Sequence, residues 1–260
     1  KLDAMKRLIA MISQGKDVQN MLPIVVKLIV VKSLEIKKLV FMFLTHYAEA
    51  DQENAIMVVN SFQKDLMHSN HFVRALALRV MSSVRVSVIA TILAASIEKA
   101  ASDSSAFVRK AAAMAIPKAY SLDDSLKDRM ITVIRTLLDD RNTLVLGAAI
   151  VAFNELCPDN WDLIHKYYRK LCRLVVDCDE WTQIIVIQTL MRYCRAHFLS
   201  PFKEHKTEKK KFYSDDDEDE DDANNPNEFV FTAFDLHPDH RLLLKSTQPL
   251  LQNRNVAVVL

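Results

Sequence analysis

Residues 71–81 read HFVRALALRVM, and residues 106–116 read AFVRKAAAMAI. Each sets Phe-Val-Arg ahead of an alanine-rich apolar run, and Val73 and Val108 lie 35 residues apart. Apolar residues recur at steps of three and four in both, the spacing of one buried helix face. Working outward, the same kind of segment occurs at 33–49, 142–157 and, more weakly, 180–195. Taking Ile36, Val73, Val108, Val145 and Gln183 as register marks, the spacings are 37, 35, 37 and 38 residues. RNVAVVL at 254–260 reads as the opening of a further copy, marked by Val256. A period in this range means stacked helical hairpins.

Each copy has a partner. Segments 52–67, 87–101, 124–140 and 160–177 repeat apolar residues at helical steps, and Asp, Asn or Ser stands near several starts as a cap. Only two glycines, Gly15 and Gly147, occur in 260 residues, whereas sheet-based nucleotide-binding folds and phosphate loops need glycine at tight turns. The expected fold is all-α: a right-handed superhelical α-solenoid of HEAT/armadillo-like helical hairpin repeats. Val73 and Val108 are expected in the core. Ala75, Ala77 and Ala111 to Ala113 should allow close helix approach. Arg74 and Arg109, one place after the mark, should pair with acids on neighbouring repeats.

The period breaks at 200–229, which is polar, charge-segregated and nearly free of aliphatic residues. Such a segment cannot bury enough apolar surface to offset the entropy of ordering, so we expect a disordered insert there. The expected organisation is solenoid over 1–199, insert over 200–229 and resumed solenoid over 230–260. Net charge is +1, and removing the eight acids Asp215–Asp222 leaves 1 + 8 = +9 on the rest. A mildly basic body suits acidic partners such as anionic lipid headgroups. Ser214 directly precedes the acidic run, a context for an acid-directed kinase, and is the candidate phosphorylation site.

No catalytic constellation is present. His46, His165 and His197 have no Ser or Cys partner in a recognisable frame. His237 and His240 in HPDH lie in a proline turn with no third ligand nearby. Cys157, Cys172, Cys178 and Cys194 form no CxxC pair and fall at apolar helical positions, as buried free thiols do. We expect no enzyme activity, no cofactor and no metal. An RNA-reading solenoid would need a regular basic or aromatic stripe, which the repeats lack, so no nucleic-acid partner is expected. The chain opens and closes inside helical patterns, so a longer parent protein is expected. From the repeats alone, other helical-repeat scaffolds, of the nuclear transport receptor or phosphatase scaffold type, stay open.

The wording is specific. GKDVQNMLPIVVKLI, LEIKKLVFMFLTHYAE, AIMVVNSFQKDL, FVRALALRVMSSVRV, FVRKAAAMAIPKAYSLD and DEWTQIIVIQTLMRY follow, in order, the trunk of the β-adaptins, the large β chains of heterotetrameric vesicle-coat adaptors. DLIHKYYRKLC, RYCRAHFLSP, KKKFYSDDDEDEDD and HPDHRLLLKSTQPLLQNRNVAVVL look like the β chains of adaptor protein complex three. This resemblance spans essentially residues 1–260. It implies a non-enzymatic scaffold that assembles with medium, small and second large adaptor subunits. It implies peripheral recruitment to cytosolic faces of Golgi and endosomal membranes, helped by an Arf-family GTPase in its GTP state. The cargo would be sorted towards lysosomes and lysosome-related organelles. The GTPase-contact positions that carry over are Ile56 and Val59, although i, i+3 apolar pairs by themselves are ordinary core residues. A basic N-terminal segment, a hinge and an ear are expected of the parent protein outside this chain.

Overall fold

The computed structural model describes residues 1–31, 33–47, 52–198, 202–203, 230–231 and 236–259; at 52–57, 202–203 and 230–231 it describes the backbone. In chain order the helices are α1 (Leu2–Ser13), α2 (Leu22–Lys27), α3 (Leu34–Tyr47), α4 (Gln52–Asp65), α5 (His71–Ser83), α6 (Ala90–Ala101) and α7 (Ala106–Leu122). They continue with α8 (Lys127–Leu138), α9 (Thr143–Leu156), α10 (Asp162–His165), α11 (Tyr168–Leu174), α12 (Glu180–His197), α13 (Pro238–Thr247) and α14 (Val256–Val259). One layer runs α1–α3–α5–α7–α9–α12–α14, each helix packed on the next. In the second layer α2 meets α4, α6 meets α8, and α11 meets α13. The core lies between the layers and is continuous along the chain. This is the expected all-α solenoid.

Alanine governs the first layer. Ala77, Ala112, Ala113, Ala115 and Ala119 are buried where α5, α7 and α9 come together. Where the layers meet, larger side chains fill the gap: Phe41, Phe43, Phe62 and Phe153 are fully buried, and the Phe41 and Phe62 rings lie 5.3 Å apart. Each such side chain contributes about 1.5–3 kcal/mol relative to exposure.

The helix caps fix the true register. Asn70 Oδ1 accepts from Phe72 N at 2.9 Å, and Asn142 Oδ1 accepts from Leu144 N at 3.0 Å, each three places before a buried mark. Asp179 accepts from Thr182 N and Asn255 from Ala257 N in the same way. The fifth mark is therefore Thr182, one residue before the expected Gln183. The sixth is Val258, 8% exposed, in place of Val256, which is 67% exposed. Thr182 to Val258 is 258 − 182 = 76 residues, yet α12 packs directly on α14, so a single repeat of the stack spans them.

The basic residue after the mark ties three loops together. Arg74 donates through Nε and Nη2 to both Asp103 carboxylate oxygens at 2.8 Å, and through Nη1 to the carbonyls of His68 and Ser69. Arg109 repeats this one period on, reaching Asp140 at 2.5 and 3.2 Å and the carbonyls of Asp103 and Ser104. The next place in the series holds buried Leu146, and no rung forms. Then Gln183 takes the arginine's place. Its Nε2 donates to the Val176 and Cys178 carbonyls, and its Oε1 accepts from Asn253 Nδ2 at 3.3 Å. Asp103, Asp140 and Asn253 each also accept a backbone N–H two residues on, so they occupy one repeated position. Lys37 reaches Asp65 at 2.5 Å, a simpler version at the first repeats.

The charged rungs predict acid sensitivity. The Arg74 hydrogen bond holds the Asp103 carboxyl below its usual range. Burial pushes Asp140 up, but the Arg109 hydrogen bond and backbone N–H groups outweigh it and leave it low. A carboxylate depressed in the folded state stabilises the fold above its unfolded pKa of about 3.9 and loses that contribution as pH falls through the folded value. Unfolding free energy should therefore drop steeply below about pH 4. A variant with Asp103→Asn and Asp140→Asn should be less stable at pH 7 and show a shallower acid limb in denaturant titrations.

Gly147 sits at a close crossing of α9 and α12. A Cβ there would sit 2.3 Å from Thr182 Oγ1, 2.5 Å from Thr182 Cγ2 and 3.0 Å from Thr182 Cβ. Thr182 cannot swing away freely, because its hydroxyl donates to Asp179 Oδ1 at 2.7 Å and its χ1 is β-branched. Gly→Ala in a helix ordinarily gains about 1 kcal/mol. Overpacking costs about 1–3 kcal/mol and should win here. Gly147→Ala should lower the melting temperature, and Thr182→Ala in the same chain should restore part of it.

Candidate interaction surfaces

Helix α4 carries the two residues singled out for a GTPase. Val59 is 5% exposed, and with Val58 and Phe62 it packs into the core; Phe62 holds the α4 end against Phe41 on α3. Ile56 lies one turn earlier on the same helix, with its side chain outside the described residues. Among the described residues Met67, just past this helix, is an apolar group at 72% exposure, and it borders a cavity of about 520 Å³ between the α4 end and α6. Nothing in the apolar spacing of AIMVVNSF separates Val59 from a surface residue.

Ser214 and most of the expected insert also lie outside the described residues. The flanking backbone is informative. Phe202–Lys203 pairs antiparallel with Val230–Phe231, with Phe202 opposite Phe231 and Lys203 opposite Val230. The chain thus leaves and re-enters the fold through adjacent strands. Beyond them, α13 docks back on the stack. Tyr168 donates to the Asp239 carbonyl at 2.9 Å, and Arg169 Nε donates to its carboxylate at 2.8 Å.

The HPDH histidines sit at this junction in structural roles. His237 Nδ1 caps α13 by accepting from Asp239 N, and Phe198 stacks on His237 with centroids 4.5 Å apart. Burial, then the neighbouring His237, holds the His240 pKa below its ordinary value. Among the described residues no group of three His, Cys, Asp or Glu side chains could hold a metal ion. Cys157, Cys172 and Cys194 are buried free thiols and Cys178 is half-buried. Burial raises them all, Cys172 to about 12 and Cys178 to about 11, which makes poor nucleophiles. Among the described residues no helix is long and apolar enough to cross a membrane.

A second surface went unnoticed in the sequence. On the first layer, Phe72 and Phe107 are half exposed with rings 5.6 Å apart, at one end of a groove of about 690 Å³ between α5 and α7. Ala75 and Ala111, expected to bring helices together, form part of its floor instead. The repeated Phe before each Val–Arg was the available signal.

A two-layer helical stack with broad grooves defines the class: a helical-repeat solenoid. Residues 1–260 match the adaptin N terminal region along their whole length, and the chain belongs to that family. It is 48% identical to the AP-3 complex subunit beta of Dictyostelium discoideum and 47% identical to human AP-3 complex subunit beta-1. Both alignments cover 100% of this chain, and 25% and 24% of those proteins, so the chain spans about a quarter of their length. The Saccharomyces cerevisiae AP-3 complex subunit beta is 30% identical over 99% of the chain and 32% of that protein. The fold also matches a chain of a structure described as a homology model of the full-length AP-3 complex in an intermediate open conformation. That match has a TM-score of 0.62 and 28% identity over 99% of this chain and 42% of the other.

The strand pairing at the insert yields a direct expectation. Replacing residues 204–229 by Asn-Gly would join paired strands through a two-residue hairpin turn. Loop closure depends only weakly on length, so the shortened chain should melt within a few degrees of the parent. A large loss of stability would show that the segment packs on the stack.

Proposed function

We propose that this chain is the trunk portion of a large β-type subunit of a vesicle-coat adaptor of the AP-3 kind and acts as a non-enzymatic scaffold. The observation that carries this reading is the match of the whole chain to the adaptin N terminal region, with AP-3 complex β subunits at 47–48% identity. The uninterrupted two-layer stack supports it, since such a stack offers long surfaces to several partners at once. In this reading the chain holds medium, small and second large subunits. The assembled coat sits on the cytosolic face of Golgi and endosomal membranes and sorts cargo towards lysosomes and lysosome-related organelles. An Arf-family GTPase in its GTP state recruits it through α4, with the contact at Ile56; Val59, singled out with it, is buried in the core. Phosphate on Ser214 would extend the negative block that follows. Individually weak contacts add up through multivalency once the complex lies on a membrane.

Affinity purification of the chain from cell lysate with mass spectrometry tests the scaffold role. Recovery of medium and second large adaptor subunits is expected; recovery of phosphatase or nuclear-transport components without adaptor chains would overturn it. Single substitutions test the GTPase contact. Ile56→Asp should weaken binding of the GTP-loaded GTPase about tenfold, a loss of 1.4 kcal/mol, with the melting temperature unchanged. Val59→Asp puts a carboxylate at a buried position and should destabilise the fold by itself. If Ile56→Asp destabilises as much as Val59→Asp, both residues belong to the core and the contact lies elsewhere.

A further inference from the structure

The groove between α5 and α7 combines two features. Its floor is apolar: Phe72, Phe107 and Met114 are each about half exposed, at 51%, 50% and 49%, with Ala75 and Ala111 between them. Its rim is cationic: Lys38 from α3, Arg79 from α5, and Lys110 and Lys118 from α7. No carboxylate lines it. Several cations elsewhere meet a carboxylate. Arg74 pairs with Asp103, Arg109 with Asp140, Arg129 with Glu98 and Arg169 with Asp239. Around the groove, Lys38, Arg79 and Lys110 have no ion pair among the described residues, and Lys118 donates only to the Ser83 hydroxyl at 2.8 Å. Partial burial, then repulsion from Arg79 and Arg85, holds the Lys118 ammonium below its ordinary pKa. Four cationic side chains thus gather along a groove that no carboxylate lines.

From the apolar floor and the unmatched cationic rim we propose that this groove docks an acidic amphipathic peptide segment of a partner protein. Apolar anchors at helical spacing would seat between Phe72, Phe107 and Met114, with Asp or Glu on the flanks facing Lys38, Arg79, Lys110 and Lys118. Helix-in-groove recognition uses this division, in which the apolar face supplies affinity and the flanking charges supply specificity and orientation. The volume of about 690 Å³ lies in the range of ordinary ligand sites. A flat anionic bilayer fits less well, because the apolar residues line a groove of about 690 Å³ between two helices. The inference does not depend on the coat reading.

The test is selection from a pooled library of 16-residue peptides with Leu, Phe or Trp at helical spacing, half carrying Asp and Glu on the flanks and half carrying Lys. The 260-residue chain should enrich the acidic half. A variant with Lys38→Glu and Lys110→Glu, which brings the rim from four positive charges to none net, should lose the acidic preference, with its helical circular dichroism unchanged. Phe107→Ser should weaken both classes about tenfold. Equal retention of both halves by the parent chain, or an acidic preference that the doubly substituted variant keeps, would overturn the proposal. So would binding to phosphatidylserine vesicles without binding to the acidic peptides, which would assign the face to membrane.

Discussion

Everything in this stack depends on how closely neighbouring first-layer helices can approach. A single hairpin cannot bury its own apolar face, so each repeat is stable only against the next. Alanines on α5 and α7 and Gly147 on α9 remove the side-chain bulk that would hold the helices apart. Between the layers, phenylalanines and leucines fill the wider gap. Close packing leaves little tolerance, and each change of a methyl group is felt along the contact.

Packing alone would allow helices to slide by a turn. The loop-to-loop ties set their position. Arg74 and Arg109 each fasten the loop before their own helix to an acid in the next loop, so each bonds two repeats through one planar group. A partly buried ion pair adds little net stability once desolvation is counted. Its geometry is specific, however, because bidentate contacts fail when the register shifts. At α12 a neutral amide does the same work, and its reach to Asn253 carries the register across 70 residues of intervening sequence.

The helical class, the period and the pairing of the two arginines were legible because they rest on local spacing and on charge at a repeated position. The fifth register was misplaced by one residue, since EWTQII offers no valine at the mark and a buried threonine stands there instead. Only the cap from Asp179 locates it. Val256 was mistaken for Val258 for the same reason, two valines in a row of candidates with the deciding signal in Asn255. Ala75 and Ala111 carry the same side chain as the buried alanines and differ only in which side of the helix they face. The docking groove is therefore invisible to composition. The burial of Val59 follows from three-dimensional packing against α3, which the pattern of α4 does not contain.

The paired strands at Phe202–Lys203 and Val230–Phe231 have a wider meaning. Because Lys203 and Val230 are paired, the placement of the flanking strands does not depend on the length of sequence between them. Its cost to folding grows only with the logarithm of its length, about 0.6 kcal/mol for each doubling. Evolution can therefore lengthen it, recharge it or add modification sites there while the pitch of the superhelix stays as it was. The helical stack and the sequence between its paired strands can diverge at separate rates within one polypeptide.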